Sequence, residues 1–169
     1  MPIFPANMNR FDPYKAYRFL VYFNSAPTTP VAGVSKVGTL KRSSDVIDYK
    51  EGGNAIIRKG LGRTKYEPIT LERGLTQDTA FQTWANYAQV LSSGAPQTSL
   101  SNLRQNIIIT LLNEAAQPVI RYKLYRCWVS EYQAMPDLDA GGNAVAIEHI
   151  KLENEGWERD LTLQEPAEI

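Results

Sequence analysis

The chain has 169 residues, 43% hydrophobic and 21% charged, with 18 Lys+Arg against 18 Asp+Glu. That length closes one core without disulfides or a metal, and the neutral sum speaks against both a dedicated nucleic-acid binder and a highly charged disordered chain. The sum hides an asymmetry: residues 1–136 carry 16 Lys+Arg against 9 Asp+Glu, a net of +7, and residues 137–169 carry 2 against 9, a net of −7.

A single Cys127 excludes an internal disulfide, and a single His149 excludes paired-histidine metal motifs. No basic-then-apolar leader opens the sequence, and no apolar run approaches the roughly 18 residues of a membrane helix. The expectation is a protein that neither uses the Sec route nor inserts in a membrane, and that leaves its cell by lysis or inside a larger machine.

Residues 1–15, with their Pro and Asn, predict an irregular N-terminal arm that packs on something. Tyr17, Phe19, Val21 and Phe23 alternate in the first strand, and residues 31–40 supply a plausible partner for it. Residues 41–66 are polar, yet hold two short apolar runs, around Val46, Ile47 and Tyr49 and around Ile56 and Ile57, separated by Glu51, Gly52, Gly53 and Asn54. Gly-Gly between two such runs signals a hairpin, and so long an excursion from a compact domain is expected to be an ordered arm completed by a neighbour.

Ile69 and Leu71 mark a further strand, with Thr70 and Glu72 on its other face. A helix over residues 77–91 follows, with Thr76 as N-cap, Asp78 at the positive end of the dipole, and Phe81, Trp84, Ala85, Ala88 and Leu91 on one face. Ser93, Gly94 and Pro96 stop it. Residues 106–112 are apolar on both faces, 113–118 turn, and 119–128 return as the second strand of a hairpin that continues or bends through Met135. Residues 144–152 close the β set, and 153–169 form an acidic tail without pattern after Trp157. The predicted fold class is mainly β (α+β): a single domain over 1–169, a small β-barrel or sandwich with one helix on its side and a long hairpin arm.

Catalytic chemistry finds little support. His149 alternates with Val145 and Ile147 in a strand and lacks a GxSxG or Cys-His companion, so a structural role fits better than a base. Cys127 reads as a small buried hydrophobe, although neighbouring Arg126 offers a way to lower its pKa. The stretch from Gly60 to Lys65 lacks phosphate-loop spacing and precedes a strand rather than a helix. Asp137 with Asp139, and Glu153 with Glu155, lack a calcium-loop pattern and read as solvated loop charges. No enzyme activity, cofactor or metal is expected.

Four stretches, in order, carry a resemblance: Tyr49 to Asn54, Ile69 to Leu75, the helix start at Asp78, Phe81 and Trp84, and Ala146 to Gly156. With Phe11 to Tyr14 and Arg126 to Ala134, the chain resembles the tail tube proteins of contractile phages, and more closely the inner tube proteins of phage-tail-like contractile injection systems. They are similar in turn to the haemolysin-coregulated tube protein of type VI secretion.

The resemblance implies homohexameric rings stacked head to tail into a hollow tube within a contractile sheath, strands of adjacent subunits joining around the channel, and the long hairpin touching a neighbouring ring. Implied partners are other copies of the chain, sheath protein, baseplate or spike and tube-terminating proteins, and cargo effector or DNA in the lumen, with assembly in the bacterial cytoplasm and release on lysis. On that basis the inter-subunit arm comprises Lys41, Arg42, Val46, Ile47, Tyr49, Glu51, Gly52, Gly53, Asn54, Ile56, Ile57, Arg58 and Lys59. Glu153, Glu155, Glu158 and Asp160 form a candidate acidic surface for Lys41, Arg42, Arg58 or Lys59 across the ring interface. The alternative is a secreted type VI-like ring that carries effectors; a monomeric small-barrel enzyme or sugar-binding module is a third class.

Overall fold

The computed structural model of the chain describes residues 3–24, 27–31, 33–92 and 100–168. The first strand forms where aromatic and branched residues alternate: β1 (Phe19–Phe23) turns Val21 and Phe23 inward, while Tyr17 lies exposed ahead of it. β1 pairs antiparallel with β6 (Gln105–Leu112), placing Val21 opposite Ile109 and Phe23 opposite Ile107.

The expected partner of β1 goes elsewhere. β2 (Val34–Val37) pairs with β5 (Ile69–Gly74), and ahead of β2 Val31 donates its amide to the Val21 carbonyl of β1 at 2.7 Å. Gly38 permits this route, because a Cβ there would stand 3.1 Å from the Thr70 nitrogen.

β7 (Pro118–Gln133) is one 16-residue strand that serves two ladders. Its first half pairs with β6 and with β9 (Trp157–Arg159), and its second half with β8 (Ile147–Glu153). The bend between them falls at Arg126, whose φ of 51° is rare for a side-chain-bearing residue and whose amide leaves the ladder to donate to Asn106 Oδ1 at 3.0 Å.

The resulting sheet runs β1-β6-β7-β8-β5-β2 with β9 on β7, and both halves contribute to one core. β1 and β2 end the path without pairing to each other, so the curl stays open. The mainly β fold with one helix is as expected, and of the barrel and sandwich forms left open by the sequence the single chain does not close a barrel, its two edge strands leaving the ring incomplete.

Helix α1 (Ala80–Ser92) begins three residues later than predicted. Asp78 is the cap, its Oδ1 accepting the Ala80 amide at 3.0 Å, while Thr76 Oγ1 accepts the Asp78 amide at 3.2 Å. Phe81, Trp84 and Ala85 are buried as the stripe predicts, each large ring contributing about 1.5–3 kcal/mol of burial. Trp84 Nε1 donates to the Leu103 carbonyl at 2.7 Å and its ring meets Phe23 edge-on at 5.0 Å. The predicted stop at Ser93, Gly94 and Pro96, and the Leu91 side chain, lie outside the described residues.

The N-terminal segment packs on the C-terminal one. Glu165 accepts the Ala6 amide, Asn7 Nδ2 and the Tyr14 hydroxyl, each at 2.9 Å, and the Glu168 amide donates to Asn7 Oδ1 at 2.8 Å. Arg10, pairing with Glu114 and Glu168, lies over the Tyr14 ring at 4.6 Å.

Candidate inter-subunit surface

β3 (Arg42–Tyr49) and β4 (Arg58–Tyr66) form a separate two-stranded antiparallel sheet outside the seven-stranded one. Every β3 residue is exposed, and the hairpin shows water Val46 (63%), Ile47 (57%), Tyr49 (59%), Ile56 (70%), Ile57 (50%) and Leu61 (80%). Val46 stands opposite Leu61 on one face of the hairpin, while Ile47 and Tyr49, one and three residues on, fall on the other, so both faces carry apolar side chains. A two-stranded hairpin without a covering layer is marginal in water, and six large apolar side chains exposed on one short arm point to an interaction site.

Local chemistry explains the shape. At the tip the Asn54 amide donates to the Glu51 carbonyl, Asn54 Oδ1 accepts the Ile56 amide at 3.1 Å, and Gly53 takes a φ of +85° that favours glycine. Midway, the register slips between Ser44 and Val46, and Gly62 faces Asp45 so closely that a Cβ would lie 2.7 Å from the Asp45 carbonyl oxygen.

The arm's root rests on β9. Tyr66 meets the Trp157 ring edge-on at 6.2 Å, the Arg42 guanidinium lies 5.5 Å from the same ring, and Asn154 Nδ2 donates to the Glu67 carbonyl at 3.1 Å. Trp157 therefore joins the arm root to the acidic segment.

Within that segment, three of the four candidate carboxylates have partners in their own chain. Glu155 pairs with Arg104 at 3.1 Å and Arg126 at 3.0 Å, Asp160 lies 3.6 Å from both Arg121 and Lys123, and Glu158 accepts the Tyr125 hydroxyl. Hydrogen bonds from Thr162, aided by Lys123 and Arg121, hold the Asp160 carboxyl below its usual range. Among the described residues Glu153 has no ion pair, nor do Lys41, Arg58 and Lys59 on the arm. These partnerships were invisible in the sequence: Glu155 donates its amide to the Tyr125 carbonyl at 3.0 Å beside Arg126, and Arg104, just ahead of β6, comes in from the paired strand.

The remaining candidates take structural places. His149 Nε2 lies 3.7 Å from Glu131 Oε1 on the half-buried face of β8. Cys127 is buried, and burial pushes its thiol up to about 12, against the lowering that Arg126 suggested. Gly60 to Lys65 lies within β4. No cluster of three or more potential metal ligands occurs among the described residues, and no helix is long and apolar enough to cross a membrane.

One constellation was missed in the sequence. Arg73 and Glu148 continue the parity of Ile69, Leu71, Ile150 and Leu152, so alternation alone placed both on the core face. They are buried to within a few per cent and bonded to each other.

The family model of the T4-like virus tail tube protein gp19 matches residues 15–158. No curated protein matches the chain. A chain in the cryo-EM structure of the anti-feeding prophage baseplate, 6-fold symmetrised, is similar at 27% identity and a TM-score of 0.72, covering 89% of this chain and 97% of that one. Two others, below a quarter identical, share the fold. One is a chain of the sheath-tube complex of the PVC extracellular contractile injection system, with 23% identity, TM-score 0.71, and 88% and 91% coverage. The other is a chain of the anti-feeding prophage tube-terminating cap, with 22% identity, TM-score 0.73, and 95% and 99% coverage. The chain belongs to the T4-like virus tail tube protein family, whose members are structural tube proteins rather than enzymes.

Proposed function

We propose that this chain builds homohexameric rings that stack head to tail into the inner tube of a contractile phage-tail-like particle, with residues 41–65 as the ring-to-ring element. The observation that carries the reading is the hairpin: two strands of 8 and 9 residues, standing outside the main sheet, with six large apolar side chains left in water. A second copy supplies the missing layer. The open edges at β1 and β2 invite the same answer sideways, since unpaired edges are a liability that closure across copies removes.

A heterologous contact of this kind closes rings by rotation and builds filaments by translation. Six-membered rings are supported by the six-fold symmetrised anti-feeding prophage structure. Sheath around the tube is supported by the PVC sheath-tube complex, and terminating and baseplate proteins at its ends by the prophage cap and baseplate. The lumen conducts cargo effector or DNA on sheath contraction. Assembly takes place in the bacterial cytoplasm, and the particle is released by lysis or held in the cell.

Charge takes part in lateral recognition. Glu153, with Glu155, Glu158 and Asp160 beside it, faces the root cations Lys41 and Arg42 of the neighbour in the ring, and Arg58 and Lys59, farther along the arm, serve the axial contact. The test of the arm is deletion of residues 48–58 followed by electron microscopy. Monomers or single rings are expected; unimpaired long tubes would overturn the reading.

A further inference from the structure

The arm and a hollow of matching character stand at opposite ends of one half of the sheet. The arm enters β5 at Ile69, which is paired with Leu152. The other end of β5, where Gly74 pairs with Ile147 and the Leu75 amide donates to the Ala146 carbonyl at 2.9 Å, carries the loop between β7 and β8. That loop borders an open hollow of about 500 Å³ lined by Pro136, Leu138, Ala144 and Val145 together with Asp137 and Asp139. Leu138 and Val145 are 69% and 78% exposed, so the hollow is apolar, open and uncovered.

Its charge is the reverse of the arm's. Residues 135–146 contain two Asp and no Lys or Arg, and residues 41–66 contain seven Lys+Arg against three Asp+Glu. Asp139 Oδ1 is occupied by the Gly141 amide at 2.9 Å, but neither Asp137 nor Asp139 meets a cation among the described residues. On the arm, Arg58 and Lys59 flank the exposed Ile56 and Ile57 and are likewise unpaired.

We propose that this hollow receives the arm of a second copy of the chain, Ile56 and Ile57 entering between Leu138 and Val145 while Arg58 and Lys59 meet Asp137 and Asp139. The proposal rests on the reading of the arm as the ring-to-ring element, and names the surface it grips. Translation along the strand direction brings the Ile69 end of one copy against the Gly74 end of the next, so the contact repeats without limit. β3 alone spans about 26 Å at roughly 3.3 Å per residue, longer than the six-residue β5 between root and hollow, so the arm has the reach to cross a ring boundary. Apolar complementarity supplies the affinity and the opposite charges the register.

A photo-crosslinking amino acid placed at Ile56 in otherwise unaltered, assembled tubes tests this, with arm-deleted chain as the companion sample. Adducts between chains are expected, and sequencing them by mass spectrometry should place the link within residues 135–146 of the Cys127–Lys151 tryptic peptide. Asp137→Lys should lower tube yield severalfold at low salt, with part of the yield returning as added salt screens its repulsion of Arg58 and Lys59. Inter-chain adducts that map elsewhere would overturn the acceptor while leaving the arm reading intact. Full tubes from arm-deleted chain, with no inter-chain adduct at position 56, would overturn both.

Discussion

Arg73 and Glu148 meet inside the protein as direct partners in the β5–β8 ladder, Arg73 Nε donating to Glu148 Oε1 over 2.6 Å. The same guanidinium reaches Asp78, donating to Oδ2 at 2.9 Å and to the backbone oxygen at 2.6 Å, and lies 4.3 Å from the centre of the Phe81 ring. Tyr132 completes the set by donating its hydroxyl to Glu148 Oε2 at 3.2 Å. One buried cation thus ties two strands to the start of the helix.

Breaking that pair strands a charge in the core. Glu148→Ala should destabilise the chain by about 3–5 kcal/mol, the usual cost of removing one partner of a buried ion pair, whereas Arg73→Met with Glu148→Leu should recover much of the loss. Urea unfolding of wild type and the two variants decides; a Glu148→Ala chain as stable as wild type would contradict the arrangement.

Acid should release the helix cap and the terminal clasp. The Asp78 carboxyl is held below its ordinary 3.8 first by the Ala80 amide and then, against burial, by Arg73. For Glu165 burial opposes ionisation, but hydrogen bonds from Asn7, the Ala6 amide and Tyr14, with Arg10 nearby, outweigh it and hold the group below 4.5. A depressed carboxyl contributes stability that is complete above its unfolded pKa and is lost as pH falls through the folded one. Stability should therefore hold above about pH 4.5 and decline below it, the clasp and the cap both weakening as each carboxyl protonates. Glu165→Gln should make the N-terminal segment protease-sensitive at neutral pH, and Asp78→Ala should cost about 1 kcal/mol there. Limited proteolysis and unfolding curves across pH 3–7 check both, and an acid profile unchanged by either substitution would count against them.

The hairpin and the body should fail separately. Gly62→Ala puts a Cβ 2.7 Å from the Asp45 carbonyl oxygen, inside contact distance with backbone, so the two strands must part. Because the hairpin lies outside the main sheet, thermal unfolding of the body should shift by no more than a degree or two, while tube yield falls several-fold. A large loss of body stability without loss of tubes is the opposite of this expectation.

Much of this was legible in the sequence, and the remainder has physical reasons. The helix stripe of Phe81, Trp84 and Ala85 and the alternation of Ile69 and Leu71 follow from periodicity, which local backbone geometry fixes. Partner choice does not: the valines of residues 31–37 mark a strand, not whether β1 or β5 lies alongside, and the register shift that lets both Val34 and Val37 pack inward has no marker in the sequence. The bend of β7 at Arg126 was hidden because a positive φ at an arginine has no compositional marker. Arg73 and Glu148 did carry a signal, their parity with core residues, but a charged pair on a core face is recognisable only when both strands are known to be neighbours. The hairpin was legible from Gly52, Gly53 and two apolar runs, and its exposure explains why those runs looked unfinished.

The most direct measurement is an electron cryo-microscopy reconstruction of the assembled tube. The account predicts that residues 42–66 of each copy leave their own ring and lie on a copy in the adjoining one, with Ile56 and Ile57 against Leu138 and Val145. A tube in which the hairpin folds back on its own body, or projects uncovered into solvent, would contradict it.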